Sequence, residues 1–148
     1  MPSDDPIMIL LVEDDPGHAR LIERNLRRAG VSHELTWIED GQKALDYFFP
    51  DGVAAMPLPG DTRLVVLLDL NLPGVDGYTV LERVKTNDHT KHIPVLVLST
   101  TDEQRDIERG YDLGCNAYLV KPVEYDQFAD AIHWLGSFVS TTKIPHRG

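Results

Sequence analysis

Ile7-Met8-Ile9-Leu10-Leu11-Val12-Glu13-Asp14-Asp15 sets six consecutive apolar residues against three acids. An unbroken apolar run of that length, rich in Ile, Leu and Val, reads as a strand covered on both faces. Four further runs read the same way: Glu34–Ile38, Leu64–Leu68, Val95–Leu98 and Ala117–Val120. Helical spacing fills the intervals. Ala19, Ile22, Leu26 and Ala29 precede a stop at Gly30, and Asp40 caps a second helix that reaches Phe48 before Pro50. A third helix follows Asp76-Gly77 with Val80, Leu81 and Val84 inward. A fourth follows Thr101-Asp102, with Ile107 and Tyr111 inward and Gly114 ending it. The last follows Pro122 and carries Phe128, Ile132, Leu135 and Val139 on one stripe. Five strand–helix alternations predict an α/β domain around a parallel sheet.

The 148 residues are 42% hydrophobic and 26% charged, enough for one domain with a real core. With 14 Lys+Arg against 24 Asp+Glu the net charge is −10, which repels phosphate backbones and argues against nucleic-acid binding. A single cysteine, Cys115, excludes an internal disulfide and cysteine-rich zinc sites; it is expected to be a small buried residue. The start of the chain lacks a basic region, and Ile7–Val12 is too short to span a membrane. A soluble, cytoplasmic protein is expected. Pro50 to Thr62 reads as an exposed loop, and Ser140 to Gly148 as a tail too short for an output domain.

In a parallel sheet, ligands gather at the carboxyl ends of the strands. Those ends carry Glu13-Asp14-Asp15, Asp69, Ser99-Thr100-Thr101 and Lys121-Pro122. With the first and third strands as neighbours, Glu13, Asp14 and Asp69 converge. Two carboxylates ~5 Å apart repel by roughly 3 kcal/mol at an effective dielectric of about 20. A hard divalent cation relieves that repulsion, and Mg²⁺ suits a few carboxylates with waters and phosphate oxygens. Lys121 adds a mobile positive charge, and a carboxylate beside both is equipped to attack phosphorus. Asp15 and Asp76 read as helix N-terminal charges. Thr100 and Thr101 read as helix-capping hydroxyls. The six histidines show no metal spacing.

These residues resemble the receiver domain of two-component response regulators, over roughly Ile7 to Phe138. The carriers are Ile9 through Asp15, Leu67-Leu68-Asp69-Leu70-Asn71-Leu72-Pro73-Gly74-Val75-Asp76-Gly77, Val97-Leu98-Ser99 and Tyr118-Leu119-Val120-Lys121-Pro122. The resemblance implies a flavodoxin-like doubly wound (βα)5 fold, five parallel strands in the order 2-1-3-4-5. It implies a receiver domain over 1–138 and an extension over 139–148 without a separate output domain. It further implies that Asp69 takes a phosphoryl group from the phosphohistidine of a sensor histidine kinase. Asp14, Asp69 and the Asn71 backbone carbonyl would then ligate Mg²⁺, with Glu13 acting through water; Mn²⁺ or Ca²⁺ can substitute. Lys121 would bind phosphate, Ser99 and Tyr118 would form the switch, and Thr101 would tune dephosphorylation. The Lys121-Pro122 bond is expected to be cis.

Glu13 through Arg20, Leu68 through Gly74 and Leu113 through Tyr118 further resemble single-domain regulators paired with phytochrome-type kinases. That narrower resemblance implies a homodimer through the fourth helix, fifth strand, last helix and tail, with Trp134, Phe138 and Val139 on its surface. The protein is then no enzyme beyond its own phosphorylation and dephosphorylation, and output runs through protein contacts. Three alternatives remain beside it. A phosphate sink has no dedicated target. A haloacid-dehalogenase-type phosphatase wants an acid two residues after its nucleophile, where Asn71 stands. A flavin- or nucleotide-binding module wants a Gly-rich loop after the first strand, where acids stand.

Overall fold

The structure, a computed structural model, describes residues 7–28, 34–52, 63–121, 126 and 130. Its elements run β1 (Ile7–Val12), α1 (Pro16–Arg28), β2 (Glu34–Ile38), α2 (Gly41–Phe48), a 3₁₀ turn at Pro50–Gly52, β3 (Arg63–Asp69), α3 (Gly77–Lys85), β4 (Val95–Ser99), α4 (Gln104–Asp112) and β5 (Ala117–Val120). The sheet order is β2-β1-β3-β4-β5, all parallel. Ala29, Gly30, the loop from 53 to 62, the Lys121-Pro122 bond, the last helical stripe and the tail with Trp134, Phe138 and Val139 lie outside the described residues.

Side chains leave a strand on alternating faces, so each apolar run feeds two cores. Leu10 and Val12 of β1, Val66 and Leu68 of β3, and Val95 and Val97 of β4 pack under α2 and α3. Ile9 and Leu11, Leu67, and Leu96 and Leu98 pack under Ala19, Ile22 and Leu26 of α1. Each fully buried Leu or Val contributes about 1.5–3 kcal/mol. The two edge strands are the exception to double cover: Trp37 of β2 and Val120 of β5 stay exposed.

Caps set where the helices begin. Pro16 occupies the first position of α1, where its missing N–H costs nothing, and Asp15 Oδ1 accepts from the Gly17 and His18 amides at 2.8 and 3.0 Å. Those amides, His18 first, hold the Asp15 carboxyl below its usual range. Asp40 and Asp76 cap α2 and α3 through the Lys43 and Thr79 amides. α4 begins differently: its N-cap is Glu103 without a side-chain bond. Thr101 Oγ1 instead accepts from the Glu103 amide and donates to Asp106 Oδ2. Cys115 is buried and unpaired, as expected, and burial pushes its thiol up to about 11.

Tyr111 does not face inward. It is 49% exposed, whereas Gly110 is the buried residue of α4 and Ile107 is half-buried. The helix settles onto β5 through that glycine, and an added Cβ there would lie 3.1 Å from the Tyr118 ring. One residue further on, about 100° round the helix, Tyr111 meets solvent.

Gly77 shows the same economy of space beside β3. A Cβ there would collide with the Asp69 carbonyl and the Leu70 backbone, neither of which can swing away as a side chain would. Gly77→Ala is expected to lower the urea midpoint by an equivalent of about 1–3 kcal/mol with little change in slope. An unchanged midpoint would contradict that packing.

Candidate functional site

Alternation decides which strand-end residues meet. Glu13 continues the Ile9, Leu11 face of β1, Asp69 continues from Leu67, and Lys121 continues the Ala117, Leu119 face of β5. All three therefore end on the α1 side of the sheet. The register seats Val12 beside Leu68, which brings Glu13 level with Asp69.

The Lys121 ammonium lies between them, 2.6 Å from Glu13 Oε1 and 3.0 Å from Asp69 Oδ2. Glu13 is fully buried and Asp69 is 2% exposed. Burial pushes the Glu13 carboxyl above its usual range, against the pull of the Lys121 ammonium and the Asp15 amide. Burial also opposes the charge on Lys121, but its hydrogen bonds to Glu13 and Asp69 outweigh that and hold the ammonium above the ordinary lysine value. Asp14 is exposed at the mouth, and its carboxylate makes no side-chain bond among the described residues.

Carboxylate oxygens of Glu13, Asp14 and Asp69 lie within 4.8 Å of one another. The donor set is all oxygen and anionic, two members are buried, and the third opens to solvent. Such a set fits a hard divalent cation that keeps several waters, as Mg²⁺ does, and gives a soft metal nothing to prefer.

From Asp69 a chain of hydrogen bonds crosses to the other face. The Asn71 amide donates to Asp69 Oδ1 at 2.8 Å. Asn71 Oδ1 accepts from the Thr100 amide at 3.0 Å, from the Thr100 hydroxyl, and at longer range from Ser99 Oγ. Ser99 Oγ accepts from the Thr101 amide, and the Tyr118 hydroxyl donates to the Thr101 carbonyl at 3.0 Å. Ser99 and Tyr118 fall on the α3 and α4 face by alternation, opposite Lys121, and the Tyr118 ring packs on that core. Tyr78 reaches the same region: its hydroxyl donates to the Asp106 carbonyl, and the Arg109 guanidinium sits 4.0 Å over its ring.

The structure thus joins Glu13, Asp14, Asp69 and Lys121 in one cluster and links Asn71, Ser99, Thr101 and Tyr118 to it in series. Sequence reasoning credited Asn71 with its backbone carbonyl alone and missed its side chain as the hub of the β4–α4 turn. It also missed Trp37, whose indole Nε1 donates to the Glu13 carbonyl at 2.7 Å. No spacing rule announces a contact between residues 24 apart on adjacent strands.

Comparison with known proteins identifies the family. The family model for the response regulator receiver domain matches residues 9–133. Response regulator Rcp1 of Synechocystis is 35% identical over 97% of this chain and 96% of its own length. A solved Mn²⁺-bound form of Rcp1 superposes with a TM-score of 0.72, at 34% identity, covering 95% of this chain and 99% of that one. A receiver domain from Rhodospirillum rubrum gives 0.78 at 49% identity, covering 95% and 99%. The bacteriophytochrome response regulator RtBRR gives 0.74 at 40% identity, covering 93% and 83%. This chain belongs to the response regulator receiver domain family. It is a two-component signalling protein of flavodoxin-like fold, similar to the single-domain regulators of phytochrome systems.

The ion pair has a pH signature. Glu13, raised in the folded state, binds its proton more tightly there, so its charge costs stability as pH climbs above the usual carboxylate range. Lys121, also raised, offsets that cost at every pH below the ordinary lysine value, and its contribution is lost only as pH rises through its folded pKa. Lys121→Met should therefore be destabilised most near pH 7.5. In EDTA, its gap in urea midpoint from the native chain should narrow as pH falls towards 5. A gap that stays constant or widens on acidification would contradict the pairing.

Proposed function

We propose that Asp69 is the phosphoacceptor and that Glu13, Asp14 and Lys121 equip it for that step. The observation that carries this reading is the buried Lys121 ammonium shared by Glu13 and Asp69, with a third carboxylate at the mouth. A carboxylate oxygen of Asp69 attacks the phosphorus of a phosphohistidine; the P–N bond breaks, and its electron pair returns to the imidazole nitrogen. Lys121 leaves Asp69 Oδ2 and follows the charge onto a phosphoryl oxygen, while Glu13 keeps the ammonium near. Asp14, Asp69 and the Asn71 backbone carbonyl would hold Mg²⁺, with Glu13 acting through water. When bound, that cation supplies neutralisation of the charge spread over the equatorial phosphoryl oxygens.

Release of the Asp69 carboxylate from its present partners is then felt along Asn71, Ser99 and Thr101 to Tyr118. Ser99 is the switch hydroxyl and Tyr118 the switch aromatic, and the Thr101 side chain tunes dephosphorylation by screening attacking water. Turnover on free substrates, as in an aspartyl-nucleophile phosphatase, lacks its general acid: Asn71 Oδ1 is committed to Thr100.

The donor we infer is a sensor histidine kinase of the phytochrome type, a reading supported by the likeness to Rcp1 and RtBRR. Among the described residues no helix is long and apolar enough to cross a membrane, which accords with a cytoplasmic relay. Self-association through α4, β5 and the segment beyond them, with Trp134, Phe138 and Val139, is the proposed surface. Exposed Tyr111 and Val120 lie on its described part.

Acetyl phosphate with Mg²⁺ should add one alkali-labile phosphoryl group to the native chain, none in EDTA and none to Asp69→Asn. Normal labelling of Asp69→Asn would overturn the assignment. In sedimentation the native chain should run as a dimer and Tyr111→Glu as a monomer; a native monomer would remove the proposed surface.

A further inference from the structure

Trp37 is 42% exposed on an edge strand, an unusual place for an indole with no core to fill. Its ring forms a wall of a surface groove shared with Leu11, Pro16, Ala19 and Leu35, and its Nε1–H points across to the Glu13 carbonyl at 2.7 Å. The β1–β2 ladder has just ended there. Val12 pairs with Ile38, and the Glu13 amide still donates to the Ile38 carbonyl at 3.0 Å. Where the next backbone partner would be needed, β2 has turned away towards the Asp40 cap. The indole takes that partner's place.

The consequence falls on Asp14. Glu13 is held at its amide by Ile38, at its carbonyl by Trp37 and at its carboxylate by Lys121 and the Asp15 amide. The Asp14 carboxylate has no such restraint among the described residues, so its aim is set by the peptide plane that precedes it. That plane is the one whose oxygen Trp37 holds. We propose that Trp37 is a positioning residue for the acidic cluster, fixing the Glu13–Asp14 peptide so that the Asp14 carboxylate stays directed at the cation site. The inference rests on the reading of that cluster as the Mg²⁺ and phosphoryl site. It makes β2, which contributes no side chain to the cluster, part of the machinery that shapes it.

Calorimetric titration with Mg²⁺ alone tests it on three chains: the native protein, Trp37→Phe, and the native sequence with the Trp37 indole replaced by benzothiophene. The phenylalanine keeps a ring on the wall of the groove; the benzothiophene keeps the full shape and removes only the N–H. Both altered chains should bind Mg²⁺ roughly three- to tenfold more weakly, the size expected for one lost hydrogen bond. Their labelling by acetyl phosphate should return to the native rate once Mg²⁺ is saturating. That split distinguishes positioning from general loosening, which would depress the rate at every Mg²⁺ concentration. If Trp37→Phe does not fold, the benzothiophene chain decides alone. Native affinity in the altered chains, or a rate deficit that saturating Mg²⁺ does not repair, overturns the inference and leaves the site standing. Failure of the native chain to bind Mg²⁺ strikes the site itself.

Discussion

One ammonium group, Nζ of Lys121, keeps two buried carboxylates in the same hole. Without it Glu13 and Asp69 would face each other almost free of water, and one would have to take up a proton or swing out. The pairing spans 108 residues of sequence between Glu13 and Lys121, so only the completed sheet can make it. Among the described residues it is also incomplete as a neutralisation: the Lys121 ammonium stands against two buried carboxylates and the exposed Asp14, with the His18 imidazole 4.0 Å from Glu13. That residual negative charge suits a divalent cation, the role proposed above for Mg²⁺.

The sheet separates two tasks by its pleat. The alternation of β1, β3 and β5 brings Glu13, Asp69 and Lys121 to the α1 face, where the proposed chemistry sits. Ser99 and Tyr118 stand on the opposite face among α3 and α4, where a surface can respond. Asn71 joins the two through an amide given to Asp69 and a side chain held by Thr100. A change in the hydrogen bonding of Asp69 therefore has a short, fully covalent and hydrogen-bonded route to Thr101 and the start of α4. Gly110 gives Tyr118 room against that helix.

Much of this was readable in the chain because the signals were local. Continuous apolar runs marked β1, β3 and β4; Asp40 and Asp76 announced α2 and α3; and the strand-end acids with Lys121 pointed to one cavity. Tyr111 was misread because a helical stripe does not say which residue sits at its centre, and the choice fell to the small Gly110 against Tyr118. Trp37 and the Asn71 side chain were invisible for a different reason. Their partners are a backbone carbonyl at the end of one neighbouring strand and a turn at the end of another, and such contacts follow from register rather than from residue type. The edge strands betrayed themselves only in part, since Trp37 looks like core until the sheet order puts β2 at the rim.

The central claim is that Asp69, with Lys121 beside it and an oxygen-ligated cation against Asp14, is where phosphorus is received. A crystal structure of the protein with Mg²⁺ and beryllofluoride, a stand-in for the phosphoryl group, addresses it most directly. The account predicts beryllium bonded to an Asp69 carboxylate oxygen, Lys121 Nζ within hydrogen-bonding distance of a fluorine, and Mg²⁺ against Asp14. Beryllofluoride on any other residue, or a Lys121 still locked between Glu13 and Asp69 beneath it, would contradict it.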